Sequence, residues 1–131
     1  MIVDTSAIIA ILKSEPDADR FKISMTNAQD DVSLSAASYL EAAIVIDKNR
    51  DAILSERLDL VLESLAVTIT PVTESHAKLA RAAYRQYGKG TGHAANLNFG
   101  DCFSYALAIE RGEPLLFKGN DFGRTDVAVA D

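Results

Sequence analysis

Short apolar runs alternate with longer amphipathic stretches along this chain, and the alternation predicts its elements. Ile2-Val3 reads as a buried strand with Asp4-Thr5-Ser6 at its C-terminal end. Ala7 to Leu12 is too apolar for a surface loop and predicts a first helix, with Asp4 or Thr5 near its N-cap. Pro16 suits the first position of a second helix reaching about Met25, because its missing N–H costs nothing there. Val32-Ser33-Leu34-Ser35 alternates and starts β-branched, which predicts a strand, and Ser35 can cap a helix from Ala36 to Lys48. Leu54, Leu58, Val61, Leu62 and Leu65 share one face of a helix from Asp51 to Leu65. Val67 to Thr70 predicts a strand stopped by Pro71, and Thr73 caps a helix running to Tyr87. Glycines 88, 90 and 92 break that helix, and the segment from Gly88 to Leu97 is expected to be the most flexible of the chain. A helix from Gly100 to Glu110 stops at Gly112. Leu115-Leu116-Phe117 reads as a buried strand and Val127-Ala128-Val129 as a weaker last one.

Strands alternating with helices predict an α/β fold, with a central, mostly parallel sheet covered on both faces. In open sheets of this kind the ligand site lies outside the carboxyl ends of the strands. Asp4 and Asp121 both follow predicted strands and fall on that edge. The 131 residues, 48% of them hydrophobic, suit one domain with a substantial core. A single cysteine, Cys102, excludes an internal disulfide and reads as a small packing residue. The longest aliphatic run is too short to cross a bilayer, and no basic stretch precedes the opening Met-Ile-Val-Asp. These features predict a cytoplasmic protein with no membrane association. A formal charge of −6 argues against a broad basic nucleic-acid surface. That exclusion weakens for an enzyme whose bound divalent cations would offset negative charge where a phosphate docks.

Four carboxylates carry the candidate chemistry: Asp4, Glu41, Asp101 and Asp121. Three have local explanations. Asp4 suits a helix N-cap, Asp101 the first turn of a helix, where the macrodipole favours an anion, and Asp121 a Gly-Asn-Asp-Phe turn. Asp126 lies close enough to compete with Asp121. Glu41 has helical neighbours Ala37, Ile44 and Val45, which put it on or beside a buried stripe. A carboxylate there is costly unless it is paired with a cation or bound to metal. Thr5 and Ser6 offer hydroxyls to orient a carboxylate or a water, and Ser104 and Tyr105 are candidate partners of Asp101. An α/β fold would aim all four acids at one cleft. Carboxylates gathered together repel, and a hard cation such as Mg²⁺ or Mn²⁺ compensates them. Such a set suits phosphodiester hydrolysis, in which metal ions activate water and stabilise the leaving oxygen.

Other chemistries have little support. His76 and His93 lack zinc-ligand spacing, and Cys102 has no partner. Neither a Gly-x-Ser-x-Gly turn nor a phosphate-binding Gly-x-x-x-x-Gly-Lys loop occurs. Tyr39, Phe99, Phe103 and Tyr105 read as core or interface residues rather than base-stacking platforms. Lys89 to His93 reads as a connector rather than a phosphate-binding loop.

The opening Met1-Ile2-Val3-Asp4-Thr5-Ser6-Ala7, the stretch Ser38-Tyr39-Leu40-Glu41, the segment Leu97 to Phe103 and the run Leu115 to Phe122 together resemble a known family over essentially the full length. It is that of the PIN-domain ribonucleases, specifically the VapC toxins of type II toxin–antitoxin pairs. The resemblance implies a three-layer α/β/α PIN-like domain over residues 1–131. It implies an endoribonuclease dependent on one or two Mg²⁺ or Mn²⁺ ions, cutting tRNA or another structured RNA. Asp4, Glu41, Asp101 and Asp121 would line the metal site, Ser6 would hold a water or a neighbouring carboxylate, and Asp126 would assist or replace Asp121. A homodimer is implied, as is a heteromeric complex with a VapB-type antitoxin whose C-terminal segment enters the groove. Two other classes compete. A non-catalytic PIN-like domain would bind RNA or protein without cutting, and would be expected to lack a central carboxylate. An aspartyl-phosphate phosphotransferase would use Asp4 as nucleophile. Haloacid-dehalogenase-like enzymes usually carry a second Asp two residues later, where this chain has Ser6. RNA selection is expected to lie in the Gly88–Leu97 segment and the groove rim.

Overall fold

Helices separate the strands throughout, in the order that the hydrophobic pattern predicts. The computed structural model describes residues 1–131. Strand β1 (Ile2–Val3) is followed by α1 (Thr5–Leu12) and α2 (Ala18–Thr26), then β2 (Val32–Ser35), α3 (Ala36–Asp47) and α4 (Ala52–Ser64). Strand β3 (Val67–Thr70), α5 (Glu74–Tyr87), α6 (Phe99–Arg111) and β4 (Leu115–Leu116) complete the fold, with a short 3-10 turn at Phe122–Arg124. Side chains start most helices by accepting from orphan N–H groups. Asp4 caps α1, Ser35 caps α3, and Asp51 caps α4. Thr73 with His76, and Asn98 with Asp101, form reciprocal capping boxes on α5 and α6. Gly112, at φ 62°, ends α6 in the left-handed conformation that glycine adopts without strain.

The four strands form one sheet in the order β3-β2-β1-β4, and every pairing is parallel. The chain winds outward from β1 to β3 and then crosses to the other side of β1 for β4. The reversal lies between β1 and β4, where open α/β sheets place their ligands. Strand periodicity divides the core. Val3 and Leu116 point into the cluster shared with α1 to α4, while Ile2 and Leu115 point into the one shared with α5 and α6. All four are fully buried, so the two strands that flank the reversal are held from both faces.

Three expectations are corrected. Pro16 does not open α2. It occupies the second position of a turn closed by the Ala18 N–H on Glu15 O at 2.9 Å, and Asp17 precedes the helix. Val127 to Val129 is not a full strand: Val129 makes one parallel bridge to Leu115, because β4 is only two residues long. The Gly88–Leu97 segment is closed at its neck. Lys89 N–H donates to Leu97 O at 2.7 Å and Leu97 N–H to Tyr87 O at 2.9 Å, while Ala95 and Leu97 are buried in the α5/α6 core. Those two apolar anchors outweigh the looseness that the glycines imply.

Candidate active site

Four elements bring the carboxylates to the carboxyl edge of the sheet. Asp4 ends β1, Glu41 projects from the second turn of α3, Asp101 lies in the first turn of α6, and Asp121 precedes the 3-10 turn after β4. Asp4 is 3% exposed, and both of its oxygens are engaged. Oδ2 accepts from the Ser6 backbone N–H at 2.9 Å and from Ser6 Oγ at 2.6 Å. Oδ1 accepts from Ser104 Oγ at 2.6 Å. Ser38 Oγ lies 3.0 Å from Ser104 Oγ, and Thr5 Oγ1 donates to Ser38 O at 3.0 Å. Ser6 Oγ also accepts from the Lys118 N–H at 2.9 Å, which ties the end of β1 to the loop after β4. A buried carboxylate keeps its charge at tolerable cost only with donors of this kind.

Glu41 and Asp101 lack such a cradle. Burial raises the Glu41 carboxyl above its ordinary range, the Thr5 hydroxyl opposes the rise, and the charge of Asp4 adds to it. Burial pushes Asp101 up to about 7; the Asn98 N–H works against this, and the charges of Asp4, Glu41 and Asp121 reinforce it. Asp121 is exposed and makes no capping hydrogen bond. Gly100 allows α6 to approach α3, because a Cβ there would overlap the Glu41 carboxylate. Glu41 does border the buried face of α3, but that face is Ser38, Ala42 and Ile46; Ile44 is 53% exposed.

Serines supply what sequence reasoning missed. Ser104 serves Asp4 rather than Asp101, and Tyr105 donates to Asp126 Oδ1 at 2.6 Å. Asp101 instead accepts from the Asn98 N–H at 2.9 Å. Asp126 is thus engaged by Tyr105, and its charge bears on Tyr87 and Tyr105 rather than on Asp101. Ser38 and Ser104 are both fully buried on otherwise apolar helix faces. A serine in that setting signals a buried polar partner. His76 completes the α5 capping box with Thr73 and pairs with Glu110 of α6, and His93 Nδ1 accepts from the Ala95 N–H at 3.0 Å, so both histidines serve the fold. Phe99, expected in the core or an interface, is 79% exposed.

None of the four carboxylates takes part in an ion pair. Uncompensated oxygen donors of this kind suit a hard divalent cation. As they stand, no three of them close on a common point as a finished ion site would. The donor chemistry fits a cation, and the side chains would have to turn to converge on one.

The PIN domain family model matches residues 1–128. Ribonuclease VapC28 of Mycobacterium tuberculosis is 60% identical over 130 residues, covering 99% of this chain and 97% of that protein. Ribonuclease VapC of Mycolicibacterium smegmatis is 51% identical over 130 residues, covering 98% of each. Among solved structures, Mycobacterium tuberculosis VapC20, a Sarcin-Ricin loop cleaving toxin, shares the fold with a TM-score of 0.78 at 16% identity, over 97% of this chain and 95% of that one. A toxin–antitoxin complex from Klebsiella pneumoniae shares it with a TM-score of 0.73 at 16% identity, over 98% and 95%. The PIN-domain match and the full-length likeness to these ribonucleases agree with the carboxylates at the sheet edge: the chain belongs to the PIN-domain family and, within it, to the VapC ribonucleases.

Proposed function

We propose that this protein is a metal-dependent endoribonuclease toxin, acting in the cytoplasm and restrained by a VapB-type antitoxin. The observation that carries the reading is the group Asp4, Glu41, Asp101 and Asp121 at the sheet reversal, unpaired with any cation, in a chain 60% identical to a VapC ribonuclease. The metal and the residue roles are part of the proposal. Asp4, Glu41, Asp101 and Asp121 would hold Mg²⁺ or Mn²⁺. A bound divalent cation supplies charge neutralisation, Lewis acidity toward the phosphate and a water of lowered pKa. Ser6 and Ser104 fix the Asp4 carboxylate in direction by donating to both of its oxygens. Asp101, whose carboxyl burial raises to about 7, would have to be deprotonated to serve as a ligand, so cation binding there would be coupled to loss of its proton. Asp121 stands at the open side, where a phosphate arrives. Hydrolysis joins a water oxygen to phosphorus and breaks one bridging P–O bond, with no side chain as nucleophile.

A protein partner is supported by the VapC relatives and by the toxin–antitoxin complex that shares the fold. Exposed apolar residues on α3 and α4, Leu40, Ile44, Ile53 and Leu60, offer surface for that partner or for a second copy in a homodimer. Asp4 as a phosphate acceptor is disfavoured by Ser6, which stands two residues on, where haloacid-dehalogenase-like enzymes carry a second Asp.

The test is incubation of antitoxin-free protein with total RNA and a tRNA pool in Mg²⁺ or Mn²⁺. Discrete fragments that vanish with EDTA and in Asp4→Asn are expected. Intact RNA with folded, metal-loaded protein would sink the reading in favour of a binding-only domain.

A further inference from the structure

Besides the acidic edge, the molecule has a second feature that its net charge hides. A cleft of about 770 Å³ lies between α5 and α6, and its charged lining residues are Arg81, Arg85 and Lys89, with no carboxylate among them. All three are exposed, and none takes part in an ion pair or a side-chain hydrogen bond. In a chain of net charge −6, three unpaired cations on one wall are a local reversal of sign. Arg81 and Arg85 are one helical turn apart, about 6 Å along the axis. Lys89 continues the row just past the end of α5. That repeat is close to the separation of successive phosphates in an extended nucleic-acid strand.

Aromatic rings line the same cleft. Phe99 is 79% exposed and Tyr84 is 42% exposed. Phe99 is braced edge-on by Phe103, with ring centroids 5.0 Å apart and planes at 81°. Tyr84 is fixed by its hydroxyl, which donates to Lys89 O at 2.6 Å. These contacts hold both rings in place while part of each stays exposed to solvent. A cationic row beside fixed, exposed aromatics suits single-stranded nucleic acid, with phosphates on the cations and bases on the rings. The cleft also adjoins the acidic site: Asn98 lines it, and its backbone N–H donates to Asp101.

We propose that the α5/α6 cleft seats the single-stranded RNA next to the scissile phosphate, with Arg81, Arg85 and Lys89 on its backbone and Phe99 under a base. This rests on the ribonuclease reading and adds to it the surface that positions the strand. A second copy of the chain fits the cleft less well. A two-fold contact there would set the same three cations against each other with no carboxylate in the lining to neutralise them.

The test uses the full chain and two single-stranded RNAs of mixed sequence, about 4 and about 16 nucleotides long. Wild type, Phe99→Ala and Arg81→Ala/Arg85→Ala/Lys89→Ala are compared by steady-state cleavage in Mn²⁺ and by sedimentation velocity. Wild type is expected to show a lower KM for the longer RNA. Phe99→Ala should raise that KM roughly tenfold, as loss of one stacked base would. The triple variant should raise it further and flatten the dependence of log KM on log salt by about 2. In both variants kcat should change far less than KM. Unaltered KM and salt slope in the variants, with wild type cutting RNA, would overturn the cleft and leave the ribonuclease reading standing. Variants that change sedimentation from dimer to monomer would overturn it in favour of a contact between copies. If wild type cuts neither these RNAs nor total RNA nor the tRNA pool, the ribonuclease reading fails and this inference falls with it; if it cuts only the structured RNAs, the single-strand cleft is overturned and the ribonuclease reading stands.

Discussion

The acidic edge and the α5/α6 cleft meet at Asn98 and carry opposite, unpaired charges. At the edge, Asp4, Glu41, Asp101 and Asp121 come from four elements, and burial makes their crowding costly. In the cleft, Arg81, Arg85 and Lys89 follow one another along one helix and its end, are exposed, and cost little to keep apart. The first group needs a folded sheet to exist, and a bound cation would relieve it. The second is a local row that salt can screen. Under the proposed function the two regions would do different jobs: a concentrated negative charge would hold metal, and a diffuse positive one would hold a strand. The acidic edge is itself uneven, since Asp4 is locked by three donors whereas Asp101 has one, the Asn98 N–H, and is raised.

The largest expected effect breaks the acidic side outright. Asp4→Asn and Asp101→Asn should each lower RNA cleavage at least about 100-fold with the fold intact by circular dichroism. Wild-type rates in either variant would remove that residue from the mechanism. Gly100→Ala should come next, with a loss of about 10- to 100-fold, because the new methyl displaces the Glu41 carboxylate while the flexible side chain lets α6 stay in place. Normal activity in a folded Gly100→Ala protein would show that Glu41 can move freely without harm.

Ser104→Ala tests the lock on Asp4. It should cost about 1–2 kcal/mol in a denaturant melt, since a buried acceptor loses a donor, and should slow cleavage about tenfold. Adding Asp126→Asn to Asp121→Asn should produce no further loss of activity, because Asp126 is held by Tyr105. A further drop in the double variant would bring Asp126 into the site.

The smallest effect is a pH trend. The folded carboxyl of Asp101 sits at about 7, above its ordinary value of 3.8. Between those values the folded state holds a proton that the unfolded state has released. Its contribution to stability is therefore present at low pH and is lost as pH rises toward 7. Metal-free wild type should lose melting temperature over that window by more than Asp101→Asn does, and Mn²⁺ should restore more of it at pH 8 than at pH 5. Parallel melting curves for the two proteins would contradict the raised carboxyl.

Much of the architecture was legible because its signals are local. The caps Asp4, Ser35, Asp51 and Thr73, the face of α4 and the stop at Gly112 each depend on a few neighbouring residues. The errors came where distant contacts overrode local preference. Glycines pointed to a loose segment, yet Ala95 and Leu97 anchor it in the core. Alternation at Val127 to Val129 pointed to a strand, yet its partner β4 leaves room for a single bridge.

The candidate site divides along the same line. By itself the sequence determined that three acids follow strands or begin a helix and that Glu41 borders a buried helix face, and therefore that one edge of an α/β sheet would receive them. Only the tertiary structure decided that Ser104 serves Asp4, that Gly100 makes room for Glu41, and that Tyr105 takes Asp126. It also decided that Phe99 stands in solvent beside a basic wall. Helix and strand periods are written into neighbouring residues. The partner of a buried hydroxyl, and the face left open on a helix pair, depend on which elements the sheet order sets side by side.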